Sequence, residues 1–174
     1  MAHPLSTLGI AHTLISLIPA VAGLRGFVRD GRIDPGARYG RVYLVGLLAA
    51  VLTSFGLSST GGINPGHVLG VLALLAAFVG GLLLPRLAML GRLRPYLQNL
   101  GLSFSFFLLM VPGINETLSR LPVGQPLATG PEDPKVRAAL LAWLLLFVVG
   151  VVWQSWQIRR KAAAAARPQP GMGR

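Results

Sequence analysis

Cysteine is absent from the 174 residues, which closes several chemical routes at once. Disulfides, thiolate-held zinc, iron–sulfur clusters, covalently attached haem and a cysteine nucleophile are all excluded. Charge is scarce too. Asp, Glu, Lys and Arg make up 12% of the chain, about half the share usual in a soluble domain. Acidic residues number five, and no apolar stretch contains a pair of them, so two-carboxylate acid–base chemistry has nowhere to form. The run Gly61-Gly62-Ile63-Asn64-Pro65-Gly66 has no Lys-Ser/Thr after it and reads as a turn, not a phosphate loop. No Ser, His and Asp combination has spacing suited to a nucleophilic triad. The sequence therefore points to a protein without catalytic activity of its own.

What the chain has in quantity is apolar sequence. Hydrophobic residues make up 53% and the mean hydropathy is +0.63. Crossing the hydrocarbon core of a bilayer takes about 20 helical residues. Five stretches approach or reach that length: Leu5 to Leu24, Val42 to Ser58, Val68 to Leu84, Leu97 to Ile114 and Val136 to Trp156. The fold expected is all-α, an integral membrane bundle of about five transmembrane helices occupying residues 1–160. A basic, Ala/Pro/Gly-rich cytoplasmic tail follows at 161–174, in which Ala162 to Ala166 briefly prolong the last helix and the remainder is disordered. Met1-Ala2-His3-Pro4 has no positive charge and no small-x-small site precedes Arg25, so the first span reads as retained and not as a cleaved signal.

The positive charge alternates with the spans. Thirteen of the 16 Lys and Arg residues fall after spans one, three and five, and only Arg120, Lys135 and Arg137 fall on the other side. Basic residues in short loops stay on the cytoplasmic side, so this split predicts the amino terminus out and the carboxyl terminus in. The net charge of +11 is then an orientation signal and a contact with anionic headgroups. It lacks the aromatic interleaving of a nucleic-acid surface, and no nucleic-acid partner is expected. The partners expected are the lipid bilayer and further membrane subunits or copies of the same chain. Tyr39, Tyr43, Tyr96, Trp153 and Trp156 lie near inner-side basic residues and read as an interfacial belt. Gly46, Ala50 and Ser54 in one span, and Gly66, Gly70, Ala73, Ala77 and Gly81 in the next, form small-residue stripes that allow close helix packing.

Ionisable groups within or beside a span are costly and carry functional hypotheses. Counting along uninterrupted helices, His12 stands roughly 20 Å above the inner arginines, His67 about 28 Å and Glu116 about 33 Å. His3 shares the offset of Glu116. His3, His67, Asn115 and Glu116 should therefore gather at the outer rim, with His12 one or two turns below. The first reading is a small binding or accessory protein whose outer-half site, built by His12, His67, Asn115 and Glu116, holds a ligand, a metal or a partner subunit. His3, His12, His67 and Glu116 would suit a divalent zinc, copper or iron ion. The second reading is a b-type haem electron carrier using His12 with His67 or Met110 as axial ligands, although the helical count separates the two imidazoles by about 9 Å in depth. The third is a small proton-coupled transporter with His12 on the proton path. Each residue also has a plain structural role open to it. His12 can bond Thr53, Ser54 or Ser105 across the bundle, His67 can belong to the turn after Pro65-Gly66, and Glu116 can pair with Arg120 at i, i+4 spacing.

Four segments carry a family likeness: His12-Thr-Leu-Ile-Ser with Gly23, Arg38-Tyr39-Gly40-Arg41-Val42-Tyr43, Gly61-Gly62-Ile63-Asn64-Pro65-Gly66-His67, and Asn115-Glu116-Thr117-Leu118-Ser119-Arg120-Leu121-Pro122. Up to about Pro126 the chain resembles a group of predicted bacterial inner-membrane proteins of unknown function. The resemblance implies a multi-pass protein of the bacterial inner (plasma) membrane and draws attention to His12, His67, Asn115 and Glu116, but it implies no activity. Where members of that group often place His before Arg-x-x-Gly in the first inner loop, this chain has Ala37 before Arg38, so no inner histidine is expected to act.

Overall fold

The computed structural model describes residues 7–57, 62 and 64–165. It is 85% helical, with no strand among the described residues. Five helices carry the fold: α1 (Thr7–Asp30), α2 (Arg38–Ser54), α3 (Pro65–Phe78), α4 (Arg94–Arg120) and α5 (Pro134–Ala165). With their short helical extensions, all five are long and apolar enough to cross a membrane. Each expected span coincides with one helix, but most of the helices run further than their apolar cores. α1 carries on through Arg25 and Arg29, and α4 starts at Arg94 and ends at Arg120. Helix propagation adds a hydrogen bond per residue once a turn exists, so charge alone does not stop it. Leu5 and Ser58, the expected limits of the first two spans, lie outside the described residues. α5 passes through the expected boundary at residue 160 and reaches Ala165; the rest of the expected tail lies outside the described residues.

The helix ends have identifiable causes. α1 stops at Gly31, whose φ of +69° favours glycine, and whose N–H bonds the Phe27 carbonyl at 3.0 Å. Asp34 then shapes the turn into α2 by accepting the Gly36 N–H at 2.9 Å. α3 opens with Asn64 as its N-cap and Pro65 in the first turn, where a missing N–H costs nothing. Beyond Phe78 the helix widens into a π-helical turn at Val79–Leu83 and continues as 3-10 turns, Leu84–Arg86 and Ala88–Leu93, with a break at Gly91.

Packing follows chain order, with α1 against α2, α3 against α4 and α5 against α4, while α2 and α3 join the two halves. Small residues let the backbones approach closely. Gly46 meets Pro19, Gly70 meets Val51, and Gly101 lies so near Gly80 that an added Cβ would stand 2.9 Å from the Gly80 Cα. Tyr43, Leu47, Ala73, Ala77, Leu102 and Phe106 make up much of the buried centre. The Tyr43 hydroxyl bonds Ser105 Oγ at 2.6 Å, and Ser105 in turn donates to the Leu102 carbonyl at 2.8 Å. Tyr43, fully buried, is thus not part of an interfacial belt. Neither is Tyr39, which is buried with its hydroxyl on Asp30. Trp153 and Trp156 do face outward, and the Arg160 guanidinium lies 4.5 Å from the Trp156 ring centre.

Candidate functional site

The two histidines that the sequence singles out meet the end of α2 at consecutive residues. His12 Nδ1 lies 2.9 Å from Thr53 Oγ1. Thr53 directs its own hydroxyl hydrogen back to the Ala49 and Ala50 carbonyls, at 2.9 and 3.0 Å. Its oxygen is therefore the acceptor, and His12 is held as the tautomer protonated at Nδ1. The other nitrogen, Nε2, presents its lone pair towards Ser16 Oγ at 3.4 Å, a contact too long to engage it strongly.

His67 has a different role. Asn64 Oδ1 accepts the His67 N–H at 3.1 Å, while the Asn64 N–H donates to His67 Nδ1 at 3.1 Å, which closes a reciprocal capping box at the start of α3. Nε2 donates to the Ser54 carbonyl at 2.8 Å, and the ring stacks on Phe55 at 4.8 Å. Both ring nitrogens are engaged, so His67 has no lone pair to offer a metal ion or an iron. The Asn64-Pro65-Gly66-His67 spacing is a helix-start signal that could have been read directly from the sequence.

The depth expected for the two rings changes as well. Both bond consecutive residues of α2, so they sit at one turn of that helix and not about 9 Å apart. The count takes Arg25 and Arg86 as one level, whereas α1 runs on past Arg25 to Asp30 and α3 reaches Arg86 through irregular turns. The levelling does not create a haem site. One imidazole is fully committed, and Met110 packs against the apolar core while the His12 nitrogens face Thr53 and Ser16. The residues present do not fit an axial pair.

The expected metal set is not assembled either. Among the described residues no three His, Asp or Glu side chains stand close enough to hold an ion, and His3 lies outside those residues. Glu116 is exposed and pairs with Arg120 one turn on. Asn115 and Ser119, one turn apart on α4, each bury a side-chain oxygen, Asn115 Oδ1 and Ser119 Oγ, that has no hydrogen-bond partner among the described residues. The structure thus gathers His12, Thr53, Asn115 and Ser119 towards one end of the bundle and leaves His67 as a structural cap.

At the opposite, arginine-rich end lies a polar centre that sequence reasoning missed. Gln154, a buried residue of α5, accepts from Asn99 Nδ2 at 2.7 Å and from Ser103 Oγ at 3.0 Å, and donates to the Gly31 carbonyl at 2.7 Å. Asn99 and Ser103 share a face of α4 at i, i+4 spacing. That spacing, with a lone Gln in an apolar stretch, was the available signal. No protein-family model, no curated protein and no solved structure matches the chain.

Proposed function

We propose that this chain is a multi-pass protein of the bacterial inner membrane, amino terminus out and carboxyl terminus in, which serves as a binding or accessory subunit and performs no chemistry of its own. Membrane residence is supported by five apolar helices whose large side chains face outward, and the orientation by the thirteen-to-three division of Lys and Arg.

The accessory role rests on one observation, the unpartnered oxygens of Asn115 and Ser119 on a single face of α4. Buried polar atoms in folded proteins almost always have partners, and each one left without costs about 1–3 kcal/mol. A neighbouring helix or polar ligand that displaces what now covers these two oxygens and brings donors to them would remove that cost. The His12 Nε2 lone pair adds a third acceptor at the same end of the bundle. The test exploits the missing cysteine. Glu116 is exposed and follows Asn115 directly, so Glu116→Cys places a unique cross-linking thiol about 100° round the helix from it. Cross-linking in native membranes should join the chain to one stoichiometric companion, and the product should vanish in Asn115→Leu. A protein that gives no cross-link and leaves mild detergent alone is not an accessory subunit.

A further inference from the structure

The arginine-rich end contains a second feature that the accessory role does not use. Where the end of α1 passes α4 and α5, a cavity of about 620 Å³ opens beside the Gln154 centre. Its polar walls come from Arg29, Asp30, Arg32 and Asp34 on one side and from Gln157 and Lys161 on the other. Both carboxylates are already held. Asp34 accepts from Arg32 at 3.2 Å and from the Gly36 N–H at 2.9 Å. Asp30 takes the Tyr39 hydroxyl and stands 3.9 Å from Arg29. On the other side, the Gln157 amide and the Lys161 ammonium, one turn apart on α5, have no partner among the described residues. The Arg29 guanidinium has only its long, exposed approach to Asp30. Three donor groups thus line one cavity, and because Arg32 and Arg29 offset Asp34 and Asp30, the wall keeps one uncompensated positive charge at Lys161.

We propose that this cavity binds the phosphate headgroup of an anionic phospholipid. Phosphate oxygens are the acceptors that a guanidinium, an ammonium and an amide would share. A lipid is favoured over a free anion because the same cavity has apolar walls in Phe27, Val28 and Ile158, and because Leu24 and Val21, one and two turns before Val28 on the same face of α1, continue an outward apolar surface where acyl chains can lie. The orientation proposed above puts this end in the cytoplasmic leaflet, where anionic lipid is concentrated, and in that respect the inference rests on it. Gly31 holds the geometry. A Cβ there would stand 2.8 Å from the Trp153 ring at a backbone angle that L side chains resist.

Native mass spectrometry of the purified protein in detergent tests the site, with phosphatidylglycerol and phosphatidylcholine as probes. Wild type should retain phosphatidylglycerol over phosphatidylcholine, and Arg29→Gln with Lys161→Gln should weaken phosphatidylglycerol by about tenfold while leaving phosphatidylcholine unchanged. Lys161→Arg should bind as wild type does. Both altered positions are exposed, and an unchanged helical signal by circular dichroism establishes that the variants fold. Equal retention of the two lipids by wild type, or undiminished phosphatidylglycerol binding by the double variant, overturns the proposal. Displacement of the lipid by millimolar inorganic phosphate would overturn it in favour of a free anion. Failure of the orientation is a separate result: it would appear as labelling of Met89→Cys from outside intact cells, with the selectivity in detergent untouched.

Discussion

Gln154 carries more of this fold than any other single polar side chain. Its oxygen takes two donors from α4 and its nitrogen serves the carbonyl that ends α1, so one amide ties three helices together. Gln154→Leu keeps the volume but leaves Asn99, Ser103 and the Gly31 carbonyl without partners. The expected loss is about 2 kcal/mol, read as a thermal midpoint in detergent lowered by roughly 5 °C. Gln154→Glu, kept neutral by burial, retains an acceptor for Asn99 and Ser103 and an O–H donor for the Gly31 carbonyl, and should fall between wild type and the Leu variant. A Leu variant as stable as wild type would show that these groups find other partners. His12 has a smaller structural stake, one bond to Thr53, which is why its second nitrogen is better placed than Gln154 to meet something outside the chain.

At the scale of the helix, α5 depends on how it starts. Asp133 precedes it, with Oδ1 accepting the Lys135 N–H at 2.9 Å and Oδ2 accepting the Thr129 N–H at 2.9 Å and the Thr129 hydroxyl at 3.2 Å. The Lys135 backbone N–H, then that of Thr129, stabilise the ionised carboxylate and hold Asp133 below its ordinary value of 3.8. Since the folded value is the lower one, the cap contributes fully above the ordinary value and is lost as pH falls through the depressed one. Asp133→Ala should therefore exchange the amide hydrogens of the first turn of α5 faster at neutral pH and show no further loosening in acid. An acid response identical to that of wild type would rule the cap out. The five helices were legible because length and hydropathy are summed over many residues, whereas their irregularities were not. The Gly80-Gly81 pair in Val79–Leu83 marked a place where α3 could depart from a regular turn, but the approach of Gly80 to Gly101 is set by α4 and is not written in that segment. Tyr43 looked like an interfacial anchor because an aromatic near an arginine reads alike whether it faces lipid or Ser105. The partner of His12 was among the three named candidates, but the choice of Thr53 depended on how α1 crosses α2 at Pro19 and Gly46, which no local pattern encodes. Gln154 finds Asn99 across 55 positions, beyond the reach of periodicity.

For the molecule as a whole, the division of charge makes the simplest prediction. Val123, in the α4–α5 loop, and Met89, at the arginine-rich end, are among the most exposed side chains. In intact cells a membrane-impermeant maleimide should label Val123→Cys and should label Met89→Cys only after lysis. The reverse pattern would invert the orientation, and labelling of both would remove the five-span arrangement. The manner in which α5 joins the rest has a further consequence. It lies chiefly against α4, through Trp143 stacked on Phe107, Phe147 tilted against the same ring, and the Trp143 indole bonded to the Phe107 carbonyl at 3.1 Å. The bond between Tyr43 and Ser105 needs none of it. α5 leaves the ribosome after α1 to α4, so it can arrive at a four-helix body that has already closed, and its docking fastens the Gly31 turn through Gln154.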